Sequence, residues 1–323
     1  MNIQKLMKQA QQAQAQMAAV QDELASLTVE ASAGGGMVKV VMTCDQSLKE
    51  LHIDPAAVDP EEVELLEDMI LAAIENGCDS LGFAEHSYVP FDEHYSMPPD
   101  KTKKYIDELK ILKSKYADKI EIFTGLELDY YTAWRPEEGL DYILGTSHYL
   151  KVKDRNNVPK YVAVDAGEQY QKHIVDTYFI GDYYAMCEAY FTSISDIALV
   201  TNADIIGHFD LITKYNFNNS LFDENHPRYI KAATDAMENI LKTCKVFEVN
   251  TGAMYRVGKP EPYPSGILLT ELFKRGGEVI LGSDSHDGES ICYKFDEMSE
   301  LLKSCGFKYK KRLTKIGFID VEL

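Results

Sequence analysis

Through the first 27 positions the apolar residues Ile3, Leu6, Met7, Ala10, Ala13, Met17, Val20, Leu24 and Leu27 recur at helical spacing. Gln, Lys and Glu lie between them, and Gly and Pro are absent, so the pattern predicts one helix over 3–27. The period then falls to two. Thr28 to Ala31 and Met37 to Thr43 read as strands on either side of Gly34-Gly35-Gly36, which is a hairpin signal. Leu48 to Ile53 reads as a third strand and 55–60 as a loop. Asp59-Pro60-Glu61-Glu62 then opens a helix, by capping residue, proline at the first position and acidic first turn, that runs to about Asn76.

From Glu75 onward short apolar runs alternate with helical stretches. The runs are LGFAEHS, IEIFTGLEL, YILGTSH, ADIIGHFDL, VFEVN and GEVILGSDSH; the helices are expected near 100–116, 182–200, 227–243 and 266–275. Such alternation predicts a parallel sheet, and so many units suggest a barrel whose strand ends form the catalytic rim.

Composition narrows the picture without deciding it. A chain of 323 residues, 45% hydrophobic and 11% aromatic, reads as ordinary globular protein. No apolar run approaches the roughly 20 residues of a membrane span, and the first residues lack a secretory apolar stretch, so a cytoplasmic protein is expected. The six cysteines are far apart with no CxxC pair, which fits reduced, mostly buried thiols without chemistry of their own. The net charge of -19 disfavours non-specific attraction to nucleic acid, and residues 1–62 hold four lysines against nine carboxylates.

The candidate chemistry lies at the strand ends. His86, Glu127, His148, His208, and Asp284 with His286 each follow an apolar run, and most follow a glycine. Imidazole and carboxylate without thiolate suit zinc, manganese or iron. One such histidine means little; five strand ends doing the same is hard to attribute to chance. Arg256 offers a guanidinium fork for phosphate, or is a surface arginine. Asp210, two residues beyond His208, orients that ligand or caps the next helix.

Two resemblances follow. The stretch NIQKLMKQAQQAQAQMAAVQDELASLTVEASAGGGMVKVVM resembles the YbaB/EbfC family of nucleoid-associated proteins, which implies a dimeric DNA-binding segment over residues 1 to about 73. LAAIENGCDSLGFAEHS, FDEHYSM, FTGLELDY, DYILGTSHYL, ADIIGHFDL, the NTG…R…EPYPS segment and ILGSDSH resemble the PHP superfamily, and within it the histidinol-phosphatases. That resemblance implies an α/β chain with a distorted (β/α)7-type barrel, preceded here by a small α+β segment of helix, three strands and helix. The expected division is 1–62 for the front segment, 63–78 for a shared junction helix and 79–323 for the barrel.

The PHP resemblance further implies one to three divalent ions and hydrolysis of L-histidinol phosphate, a small phosphorylated amino alcohol. In it Glu127 bridges two metals, His148 and His208 complete the second metal's shell, Asp284 serves the first metal, and His86 with His286 serve the third. The family's first strand carries a His-x-His pair, and this chain has no His-x-His anywhere. In its place stands LKELHIDPAAVDP, where His52 is the one histidine and its spacing reads as coincidental. The first and third metals lose ligands while the second keeps its set, so a large loss of phosphatase activity is expected. Leu48 to Ile53 is a candidate to fill the vacated strand position. The competing reading is a dimeric DNA-binding protein with an impaired PHP remnant, located with the nucleoid.

Overall fold

The computed structural model describes residues 63–92 and 95–323, together with the backbone of three strands in the front segment. It divides the chain into two compact units, Met1–Glu62 and Val63–Leu323. In the first unit β1 (Thr28–Ala33), β2 (Val38–Thr43) and β3 (Leu48–Ile53) form an antiparallel sheet with β2 at the centre. Val38 stands opposite Ala33 on one side and Ile53 on the other. These strands fall where the alternation placed them. The helix over 3–27, the triple-glycine turn and the Asp59-Pro60 helix start lie outside the described residues.

The second unit opens with α1 (Val63–Glu75) and is built on six parallel strands. These are β4 (Ser80–His86), β5 (Glu121–Asp129), β6 (Tyr142–Thr146), β9 (Ile205–Ile206), β10 (Val246–Asn250) and β11 (Glu278–Gly282). They neighbour one another in chain order, with β4 and β11 at the two edges. The α/β class and the single direction of winding agree with the sequence reading. The barrel itself is a half-barrel, because no ladder joins β11 to β4 among the described residues. Among the described residues Leu48–Ile53, the candidate for the vacated strand position, pairs with β2 and belongs to the three-stranded sheet of the first unit.

Side chains bridge the open side instead. Ile291, in the segment after β11, is buried in one apolar cluster with Met69, Ile70 and Ala73 of α1 and Phe83 of β4. Full burial of such a side chain contributes about 1.5–3 kcal/mol. β12 (Tyr309–Thr314) and β13 (Gly317–Glu322) form an antiparallel hairpin that sends Leu313 and Phe318 into the interior cluster of Phe123, Tyr142, Leu144, Ile205 and Val246. Its basic residues reach both edges, Lys311 to Glu278 at the start of β11 and Arg312 to Asp79 just before β4.

The helices α2 (Pro99–Lys115), α4 (Tyr183–Ile194), α5 (Ile197–Thr201), α6 (Pro227–Ile240) and α8 (Gly266–Lys274) occupy the expected regions. The single helix expected over 182–200 is two, α4 and α5, with Asp182 capping the first by accepting from the amides of Tyr184 and Ala185. The sequence reading missed β7 (Tyr149–Lys153) and β8 (Pro159–Ala163), an antiparallel pair, along with α3 (Glu168–Tyr178), the short α7 (Gly252–Arg256), α9 (Phe295–Cys305) and the closing hairpin.

Candidate metal centre

Successive strand residues alternate between faces, so residues two apart share one. On the interior face each strand starts apolar and ends polar. β5 runs Phe123, Gly125, Glu127, Asp129; β10 runs Val246, Glu248, Asn250; β4 ends Ala84, His86, and β11 leads from Ile280 through Gly282 to Asp284. The apolar halves fill the base of the half-barrel. The polar halves collect at the carboxyl ends of the strands, around a cavity of ≈ 570 Å³.

Glycine makes room for this crowding. A Cβ at Gly282 would lie 2.0 Å from Glu248 Oε1, and one at Gly125 would lie 2.3 Å from Cζ of Tyr142. Here the glycines preceding candidate ligands are explained by the side chain that crosses them. Asp284 adopts a left-handed φ of 46°, an uncommon conformation for a residue with a Cβ.

At the centre stands Glu127. Its Oε1 lies 2.8 Å from His208 Nε2 and 3.3 Å from His148 Nε2, and its Oε2 lies 3.3 Å from His86 Nδ1. The His148 ring lies edge-on to both other imidazoles, at centroid distances of 5.0 Å from His86 and 4.8 Å from His208. Asp129 Oδ2 accepts from the backbone amide of His148 at 2.9 Å and pairs with ring Nδ1 at 3.2 Å. With the proton on Nδ1, His148 turns a lone pair toward the Glu127 carboxylate. Two electron-rich groups hold that approach in a buried site only with a proton or a cation between them.

The titration of these groups expresses the same conflict. Burial raises the Glu127 carboxyl, but the imidazoles of His86, His148 and His208 outweigh it and hold the group well below the usual carboxylate range. Burial opposes charge on His148, yet Glu127 and Asp129 push it up to about 10. His208 is raised in the same way, mainly by its hydrogen bond to Glu127. The donor set therefore fits a divalent cation: His86, Glu127 and His148 offer ligand atoms that all lie within 4.8 Å of one another.

Asp284 and His286 form a second group, 3.6 Å apart, with the His286 side chain 62% exposed. Arg256 Nη2 donates to Asp284 Oδ2 at 2.7 Å, and Nη1 also reaches the Asp284 backbone oxygen. The fork that was expected to meet phosphate thus engages a candidate ligand. Burial raises the Asp284 carboxyl, but the facing His286 imidazole and the Arg256 guanidinium hold it well below its ordinary range. His86 and His286, which the resemblance groups on one metal, stand in different pairings here. Asp210 neither orients His208 nor caps a helix through its side chain; its Oδ2 accepts from the Ser265 amide at 3.1 Å. Glu93 and His94 of the FDEHYSM motif lie outside the described residues.

Sequence reasoning missed Asp129, Glu248 and Asn250. Glu248 Oε2 accepts from the His208 amide at 3.1 Å and from Asn250 Nδ2 at 2.9 Å. Burial and the charge on Asp284 push its carboxyl up to about 7. A signal was present for each, since Asp129 follows Glu127 by two residues and Glu248 precedes Asn250 by two on strands already recognised. Asp165 and Lys214, paired at 2.9 Å, line the same cavity and had no such signal.

The model of the PHP domain matches residues 50–252, and that of the YbaB/EbfC DNA-binding family matches residues 1–82. A "Probable histidinol-phosphatase" of Schizosaccharomyces pombe is 28% identical over 273 residues, covering 75% of this chain and 81% of its own length. A nucleoid-associated protein of Moorella thermoacetica is 60% identical over 73 residues, covering 23% of this chain and 70% of its own. The solved histidinol phosphate phosphatase of Lactococcus lactis, complexed with zinc, L-histidinol and phosphate, shares the fold. Its TM-score is 0.56 at 18% identity, over 81% of this chain and 94% of that one. By these matches the chain belongs to the PHP domain family over its larger part, with a segment of the YbaB/EbfC DNA-binding family at its front.

Proposed function

We propose that the second unit is a metal-dependent phosphomonoesterase acting on L-histidinol phosphate, releasing L-histidinol and phosphate as in histidine biosynthesis. The observation that carries this reading is the convergence of three imidazoles on the buried Glu127 carboxylate. Glu127, His148, His208 and His86 would hold one divalent ion, zinc, manganese or iron, and Asp284 with His286 would serve a further ion at the more open end. A bound ion acidifies water and neutralises phosphate oxygens. The chain's own residues do the rest. Asp129 fixes the His148 ring, Glu248 fixes the backbone at His208, and Arg256 offers N–H donors beside Asp284 for a phosphate oxygen. Asp92 and Asp165 at the cavity wall suit the ammonium of an amino alcohol.

The name of the fission-yeast relative supports the substrate, and so does the ligand set of the Lactococcus lactis protein. Turnover is expected to fall well below that of relatives that keep the His-x-His strand, because the further ion is left with two candidate ligands, Asp284 and the exposed His286, and a weakly held second ion clamps attacking and leaving oxygens poorly. Phosphate release from L-histidinol phosphate, assayed with and without added manganese or zinc, tests the reading. No metal-stimulated release above buffer would end it.

We assign the front segment, residues 1–62, to DNA contact and self-association, with 63–78 as the junction and 79–323 as the phosphatase unit, in a cytoplasmic protein located with the nucleoid. The 60% identity to a nucleoid-associated protein favours this second activity. A gel-shift titration across salt concentrations measures it, and a shift absent even at low salt would refute it.

A further inference from the structure

Two of the six cysteines meet across the open side of the half-barrel. Cys78 precedes edge strand β4, Cys292 follows edge strand β11, and their sulfurs lie 2.8 Å apart although 214 positions separate them in the chain. Both are half-buried, whereas Cys187, Cys244 and Cys305 are buried. The latter two sulfurs face backbone oxygens, those of Asp204 and Val246 for Cys244 and that of Gly266 for Cys305.

The pair is held in place from both sides. The Cys78 amide donates to the Ala73 oxygen at 3.0 Å, tying it to the end of α1. Cys292 adopts a left-handed φ of 60°, between buried Ile291 and the start of α9. A residue with a Cβ stays in that conformation only where its surroundings dictate it. Cys292 therefore meets Cys78 because the packing of Ile291 against α1 sets the loop.

We propose that Cys78 and Cys292 are a thiol pair that a low-molecular-weight disulfide oxidises to an intramolecular disulfide, stapling the two edges of the half-barrel. In the first step the Cys78 thiolate attacks one sulfur of the reagent, forming a mixed disulfide and expelling one reagent thiolate. Cys292 then loses its proton and attacks the Cys78 sulfur, expelling the second. Two protein thiols lose two protons and two electrons, and one reagent disulfide becomes two thiols. The order of attack has a physical basis. The hydrogen bond from Cys292 lowers the Cys78 thiol to about 7, against the opposing effect of burial, while the same contact and burial raise Cys292. Among the described residues no ladder joins β11 to β4 at this side, so the cross-link would add a constraint that ladder hydrogen bonds do not provide there.

The inference is independent of the phosphatase reading. Its test uses the full chain incubated with excess oxidised glutathione, quenched with acid, alkylated and mapped by mass spectrometry. The expected result is joint loss of alkylation at Cys78 and Cys292, one cross-linked peptide joining them, and a melting temperature several degrees above the dithiothreitol-treated protein. In Cys292→Ser, which lacks the resolving thiol, Cys78 should retain glutathione; in Cys78→Ser no cross-link should form. Complete alkylation of both cysteines after prolonged exposure would overturn the proposal, as would a lasting glutathione adduct on Cys78 while Cys292 is present.

Discussion

At Glu127 three imidazoles share one carboxylate, and removing that charge takes away the group on which they converge. Glu127→Gln should therefore abolish tight metal binding and reduce phosphate release to background, read by elemental analysis and a phosphate assay. Asp129 acts one step removed, through the ring of His148, so Asp129→Asn should lower metal affinity or activity by about 10–100-fold without abolishing either. A metal titration separates the two outcomes; equal loss in both variants would contradict the roles given. Glu224 tests the electrostatics away from the centre. Burial first, and the charge on Asp210 next, push its carboxyl up to about 7 from an ordinary value of 4.5. A carboxyl raised in the folded state costs nothing below about pH 4.5, and its cost is complete above about pH 7. Glu224→Gln should remove about 1–2 kcal/mol of that penalty at pH 8 and almost none at pH 4, seen as a larger gain in melting temperature at the higher pH.

Element by element, the period of the sequence revealed strands well where one face is apolar and the run is short. All six strand regions of the parallel sheet were legible because each ends in a polar residue that follows a glycine or an apolar run. The β7–β8 pair was not, because Tyr149 continues the LGTSHYL run without punctuation and Lys151 and Lys153 obscure the alternation. The closing hairpin was hidden in the same way by Lys310, Lys311 and Arg312; the charges of Lys311 and Arg312 serve the strand edges, and Leu313 and Phe318 beside them fill the base. Packing at the glycines has a sharp consequence. Gly125→Ala would press a methyl against the Tyr142 ring, and Tyr142 is buried with its hydroxyl donating to the Phe83 oxygen at 3.0 Å. A loss of about 1–3 kcal/mol is expected in denaturant unfolding. An unchanged midpoint would show that Tyr142 moves freely.

On the scale of the whole chain, the six candidate ligands were legible because their types and positions share one pattern, while their pairing was not. Nothing in the spacing says that Arg256 takes Asp284 or that His86 joins Glu127; those follow from a half-barrel whose edge strands meet through side chains. Every residue of the centre lies in the unit Val63–Leu323. Deleting residues 1–60 should therefore leave a soluble protein with unchanged metal content and phosphate release, but without any DNA shift. The central claim is that Glu127 and its histidines bind a divalent cation, and elemental analysis of the purified full chain beside Glu127→Gln tests it most directly. At least one equivalent of zinc, manganese or iron per chain, lost in the variant, is the predicted result; a metal-free chain that stays empty after incubation with all three ions would contradict it.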